Sequence, residues 1–194
     1  MRKILLVLFT TTIALTTNAQ EMIAAVSNPS YEIKISDKMM QDAIEKATYE
    51  IKTNSSNVET KRISKFEREI QNKNTPSYTK YFENLASKMG ERTIAKKGIP
   101  DEPFHLKLKS DKGHMKITYD TDGALIHAKE RFSNIALPKD VRKFIYQKYK
   151  GWLITSTLYE VEYNQGESPI LEYAILLQKD NQMKNIRIDA NAIK

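Results

Sequence analysis

Between Phe104 and Ala190 the chain alternates apolar and polar residues, which is the period of a half-buried strand. Phe104, Leu106 and Leu108 alternate with His105, Lys107 and Lys109. Met115, Ile117 and Tyr119 follow the same rule, and residues 124–132 return as a third strand. Lys112-Gly113 and Asp122-Gly123 supply two-residue turns. Taken as hairpin tips, they pair Leu108 with Ile117, Ile117 with Ala128, Leu106 with Tyr119 and Tyr119 with Ile126. All these fall on one face, and a slip of one residue would scatter them over both. The other face then carries His105, Lys107, Lys109, Lys116, His127 and Lys129. Three further strands are expected over 152–163, 169–179 and 183–190, turning at Gln165-Gly166 and Asp180-Asn181. Pro138 opens a helix that Gly151 ends, with Val141, Phe144, Ile145 and Tyr149 as its apolar stripe. Six strands and one amphipathic helix predict an α+β domain, an antiparallel sheet of about six strands packed on that helix.

Upstream of Ile99-Pro100-Asp101-Glu102-Pro103 the period is helical. Ser36-Asp37 caps a segment through Ile51, with Met40, Ile44, Ala47 and Ile51 along one stripe. A second segment, 58–72, carries only Ile63, Phe66 and Ile70 in register and is expected to lie on the surface or flex. A third starts with Pro76 in its first turn, buries Tyr78, Phe82, Leu85 and Met89, and stops at Gly90. Tyr31, Ile33 and Ile35 give a weak strand signal. Residues 20–98 are thus read as a mostly helical N-terminal region, and 103–190 as the α+β domain.

The first nineteen residues change the setting. Arg2 and Lys3 precede an apolar stretch over 4–15, and Thr17-Asn18-Ala19 offers small residues where a signal peptidase cuts. A signal peptide over 1–19 is expected, with the mature chain periplasmic or secreted. The stretch is too short, and too interrupted by threonine, to be a spanning helix. The chain has no cysteine, which excludes disulfides, thiol nucleophiles, thiolate metal sites and a lipid-bearing cysteine after the cut. Its formal charge is +7, two charges of which belong to the leader. In an exported protein that balance points to an acidic protein, anionic lipid or acidic glycan rather than nucleic acid.

Chemical motifs are sparse. Asp120-Thr-Asp-Gly123 has the opening of a calcium loop, but Ala124 stands where Asp or Asn is needed, so a hairpin turn is expected. His105, His114 and His127 lie on neighbouring strands, with His114 at a turn, and are not expected to converge on a metal. No zinc-protease, serine-hydrolase or phosphate-loop motif occurs. Glu160 and Glu172 face one another if the loop over 164–168 closes; Arg187, diagonal to Glu172, would neutralise them, and otherwise a raised pKa would suit acid–base work. The remaining candidate is a basic strip of Lys107, Lys109, Lys116, Lys129 and Arg131. It reads either as a solvated face whose lysines discourage edge pairing or as a surface for an anionic partner.

Ile117-Thr-Tyr-Asp-Thr-Asp-Gly123, Glu130-Arg-Phe132, Ile135-Ala-Leu-Pro138, Tyr149-Lys-Gly-Trp152 and Tyr159-Glu-Val-Glu-Tyr163 stand in a familiar order. Over about 104–189 the chain resembles PepSY-like, beta-lactamase-inhibitor-like exported bacterial proteins. Lys150 departs from the proline often found there before Gly-Trp. The resemblance implies a small sheet packed on a helix, in secreted modules whose best-understood relatives bind or inhibit other proteins. Some similar sequences carry the name nicotinate-nucleotide adenylyltransferase. That activity needs a His-x-Gly-His phosphate site, and none of the three histidines stands in one. The expected function is an exported, non-enzymatic binding or inhibitor-like module without cofactor, whose partner is another envelope protein. The alternatives are an envelope protein holding anionic lipid or glycan through its basic face, and an enzyme using carboxylates such as Glu160 and Glu172.

Overall fold

A single seven-stranded sheet collects the alternating segments in chain order. The computed structural model describes residues 30–36, 38 and 63–193. The strands are β1 (Ser30–Lys34), β2 (Phe104–Ser110), β3 (Gly113–Tyr119), β4 (Leu125–Ser133), β5 (Leu153–Asn164), β6 (Ile170–Lys179) and β7 (Gln182–Asp189). The helices among the described residues are α1 (Lys65–Ile70), α2 (Ser77–Lys97) and α3 (Lys139–Lys148). The expected signal peptide, nearly all of the helix expected over 36–51, and residues 58–62 lie outside the described residues.

The fold is α+β, but the sheet is mixed and has seven strands rather than six. Strands β2 to β7 pair antiparallel, whereas β1 lies parallel to β2. The seventh strand is the weak signal around Tyr31 and Ile33. A parallel neighbour requires a crossover, and residues 35–103 provide it. Phe66 and Ile70 of α1, Phe82 and Ala86 of α2, and Val141 and Ile145 of α3 are buried in one cluster with the inner sheet residues. The core is therefore continuous across the proline-rich segment at 99–103. α1 is shorter than the segment expected from the sequence and is not a surface helix. A capping box starts it, with Ser64 Oγ accepting from Glu67 N and Glu67 Oε2 accepting from Ser64 N. Its Phe66 meets Tyr163 edge-on, ring centroids 5.0 Å apart.

Two hairpins depart from the expected register in instructive ways. In the first, Ser110 pairs with Gly113, so Leu108 faces Met115, Leu106 faces Ile117 and Phe104 faces Tyr119. The tip is Asp111-Lys112, not Lys112-Gly113, and Ser110 Oγ helps close it by accepting from Lys112 N at 3.3 Å. Because the displacement is two residues, every side chain keeps its face. In the second, Ile117 does face Ala128, but a bulge after Thr118 brings Tyr119 opposite Leu125 instead of Ile126. Asp120 makes that bulge. Its carboxylate accepts from Asp122 N and Ala124 N at 3.0 and 2.8 Å, and its carbonyl accepts from Gly123 N. Gly123 sits at φ +80°, which favours glycine.

Helix α2 begins one residue after Pro76 and runs past Gly90 to Lys97, with Gly98 at φ +91° beyond its end. Its buried line is Thr79, Phe82, Glu83, Ala86 and Gly90. Of the expected stripe only Phe82 is fully buried, while Tyr78, Leu85 and Met89 flank it half-buried. The reason is steric. Ala86 and Gly90 are small enough to bring the helix backbone onto the sheet, where Tyr119 Oη donates to the Ala86 carbonyl at 2.7 Å. A Cβ on Gly90 would fall on the Gly123 carbonyl oxygen and 2.6 Å from Tyr119 Cδ1. Gly90 marks a crossing point, not a stop.

Candidate functional site: the open face of the sheet

Side chains on alternate positions of β1 to β7 project away from the helices, and pairing aligns them in rows. One row runs Glu32, Lys107, Lys116, Lys129, Glu162. The next runs Lys34, Lys109, His114, Arg131, Glu160, Glu172, Asp189. Lys107, Lys109, Lys116, Lys129 and Arg131 therefore do share one face, on β2 to β4. What the strip alone did not reveal is its flanks. Glu32 pairs with Lys107 at 3.1 Å and Lys109 at 3.9 Å, and Glu162 pairs with Lys129 at 2.9 Å. Arg131 pairs with Glu160 at 3.0 Å.

Lys116 lies in the middle of the first row with a lysine on either side, and among the described residues it has no ion-pair partner. Like charges directly opposite one another on neighbouring strands disfavour the folded state. His114, expected at a turn, is instead paired with Lys109 and Arg131 inside this basic region, because the hairpin tip lies one residue earlier. Burial first, and then Lys116, Lys107, Arg131 and Lys109, hold its imidazole below its ordinary pKa. An open hollow of about 330 Å³ lies here, lined by His114, Lys116, Lys129, Arg131, Glu160 and Glu162 among others. Glu172 and the inward-turned Glu130 also line it, so the hollow carries both signs, and Lys116 is its cation without a carboxylate partner among the described residues.

The other sequence candidates resolve differently. Glu160 and Glu172 are directly opposite across β5 and β6. Arg187 reaches both, at 3.7 Å from Glu160 and 2.5 Å from Glu172, while Arg131 holds Glu160 from the other side. Both carboxylates are thus engaged in ion pairs. His105 Nδ1 is 3.0 Å from Thr118 Oγ1 and His127 Nδ1 is 2.7 Å from Asn164 Oδ1, so each imidazole is tied to a neighbouring strand. Among the described residues no group of His, Asp and Glu stands close enough to hold a metal. No described helix is long and apolar enough to cross a membrane.

Two buried acids carry weight although no chemical role was read for them from the sequence, one of them the first residue of the Glu130-Arg-Phe132 motif. Glu130 is 3% exposed on the inner face of β4, between Ala128 and Phe132, and Glu83 of α2 is fully buried. All four of their carboxyl oxygens, together with Tyr159 Oη, are buried without a hydrogen-bond partner. The signal for Glu130 was available, since strict alternation from Ala128 to Phe132 turns it inward while Lys129 and Arg131 turn outward. Glu83 could be found only by knowing that α2 faces the sheet along Thr79, Ala86 and Gly90. No family model, curated protein or solved structure matches this chain.

Proposed function

We propose that this protein is an exported, non-enzymatic binding module that presents the open face of its sheet to an acidic surface of a protein partner. The observation that carries the reading is Lys116. It is the one cation of its row left without a carboxylate among the described residues, and it stands beside His114 over the hollow. A partner carboxylate placed there relieves the repulsion among Lys107, Lys116 and Lys129. Ion pairs at such exposed positions are each worth about 0.2–1 kcal/mol, so several acting together are needed for useful affinity. The engagement of Glu160 and Glu172 by Arg131 and Arg187 favours binding over acid–base catalysis. The resemblance to PepSY-like, inhibitor-like exported proteins supports the same reading.

The test is a titration of the chain from Gln20 with a fluorescent peptide of alternating glutamates, and separately with vesicles rich in anionic lipid. Peptide binding should weaken about tenfold in Lys116→Glu and fall as salt rises from 0.05 to 0.5 M, through roughly a halving or more of the Debye length. Vesicle binding without peptide binding would transfer the face to the lipid reading. No binding to either at low salt would remove the face from the function.

A further inference from the structure

We propose that Glu83 and Glu130 form a buried proton-binding site that latches α2 to the sheet, closed while the pair holds its protons and released when they leave. One carboxyl comes from the helix layer and the other from the inner face of β4, so the site straddles the main packing interface. Neither carboxyl has a hydrogen-bond donor. The donors nearest Glu83 are drawn toward other acceptors, Gln71 Nε2 giving one hydrogen to Asn84 Oδ1 at 3.0 Å and Thr79 Oγ1 its hydrogen to the Pro76 carbonyl at 3.0 Å, so they favour the charged form of Glu83 less than burial disfavours it.

The surrounding groups offer little compensation for a charge. From α1 comes Glu67, buried and of like sign. From the sheet come Tyr159 of β5 and Tyr173 of β6, whose hydroxyl is given to the Asn74 carbonyl. Lys80 is the cation that acts on Glu83, after Gln71 and Thr79, and burial outweighs all three. An unpaired carboxylate in such a place is far costlier than the neutral acid. Burial accordingly pushes Glu83 up to about 8, and pushes Glu130 well above the ordinary range, with Glu83 adding to the rise at Glu130. Two acids in one dry site do not both ionise cheaply, so proton loss from the pair acts against the contact between α2 and β4.

The sign follows from linkage. Both carboxyls bind protons more tightly in the folded chain, so their contribution to stability is complete below the ordinary value of 4.5 and declines as pH rises through the raised values. Over that window the folding equilibrium constant falls about tenfold per pH unit for each proton the folded state retains and the unfolded state loses. The experiment is urea unfolding of the chain from Gln20 at half-unit steps from pH 5 to pH 9, beside Glu83→Gln, Glu130→Gln and the double variant. The wild type should lose stability steadily up to about pH 8, and the double variant should lose markedly less over the same range. Superimposable pH profiles would overturn the latch. Should the variants not fold, calorimetric unfolding of the wild type at pH 7 in two buffers of different ionisation heat gives a direct count. About two protons released supports the site, and none released refutes it.

Discussion

Replacing Gly90 with alanine separates the observed packing from helix propensity, because the two give opposite signs. Gly90 lies inside a helix of 21 residues, and propensity alone has alanine stabilising by about 1 kcal/mol. In the structure the new methyl falls on the carbonyl oxygen of Gly123, a backbone atom that cannot rotate away, and 2.6 Å from Tyr119 Cδ1. Ordinary carbon contacts begin near ~3.5 Å, so the helix must lift by about 1 Å. Overpacking of this kind costs about 1–3 kcal/mol. The lift also strains the buried bond from Tyr119 Oη to the Ala86 carbonyl, which is 2.7 Å long and whose loss costs about 1–3 kcal/mol. Set against the propensity gain, Gly90→Ala should destabilise by about 3 kcal/mol. Urea unfolding followed by circular dichroism reads this directly. With a slope of about 2 kcal/mol per molar for a chain of this size, the midpoint falls by roughly 1.5 M. Gly98→Ala is the control, since nothing lies within 4 Å of its added methyl and only its φ of +91° opposes the change. It should cost about 1–3 kcal/mol from backbone strain alone, because φ +91° with ψ 171° is a region that essentially only glycine adopts, and it should leave the α2 crossing unchanged. A Gly90→Ala protein as stable as the wild type would refute the close crossing of α2 over the β3–β4 turn, and with it the burial of Glu83.

Three further outcomes follow from the same geometry. Asn74 Nδ2 donates to the carbonyls of Ala190 and Ile193, both at 2.8 Å, and so ties the α1–α2 turn to the end of the chain. Asn74→Ala should cost about 2 kcal/mol and speed hydrogen exchange over residues 190–193. Ser64→Ala removes half of the capping box and should cost about 1 kcal/mol by urea unfolding, with α1 loosening locally. His114 has a depressed pKa, so its contribution to stability is present above its ordinary value of 6.5 and is lost as pH falls through the folded value. A bound carboxylate reverses that bias, so affinity for the glutamate peptide should strengthen as pH drops below about 6.5, and His114→Gln should flatten the profile.

How much of this was legible without coordinates depends on which forces set each feature. The faces of β2 to β7 follow from alternation, and alternation survives a two-residue error. The basic strip was therefore found intact although the first hairpin was placed wrongly. The tips themselves were harder, because turn propensity ranks dipeptides, whereas Ser110 and Asp120 close these turns with side-chain bonds that a dipeptide rule does not weigh. Helix α2 shows the opposite limit. Its largest apolar residues drew the stripe toward Tyr78 and Met89, but a helix laid tightly on a sheet turns its smallest residues to the contact and leaves the larger ones on the shoulders. Rotating the stripe toward Ala86 and Gly90 is also what carries Glu83 inside, to face the one acid that alternation puts on the inner side of β4. Lys129 and Arg131 flank Glu130 in sequence and stand on the opposite side of the same strand. The face that would meet a partner and the site that would hold protons are thus two sides of one strand, with different origins. The outer side can be read from spacing along a single segment, while the inner pair exists only because two segments about 50 residues apart pack small side against strand.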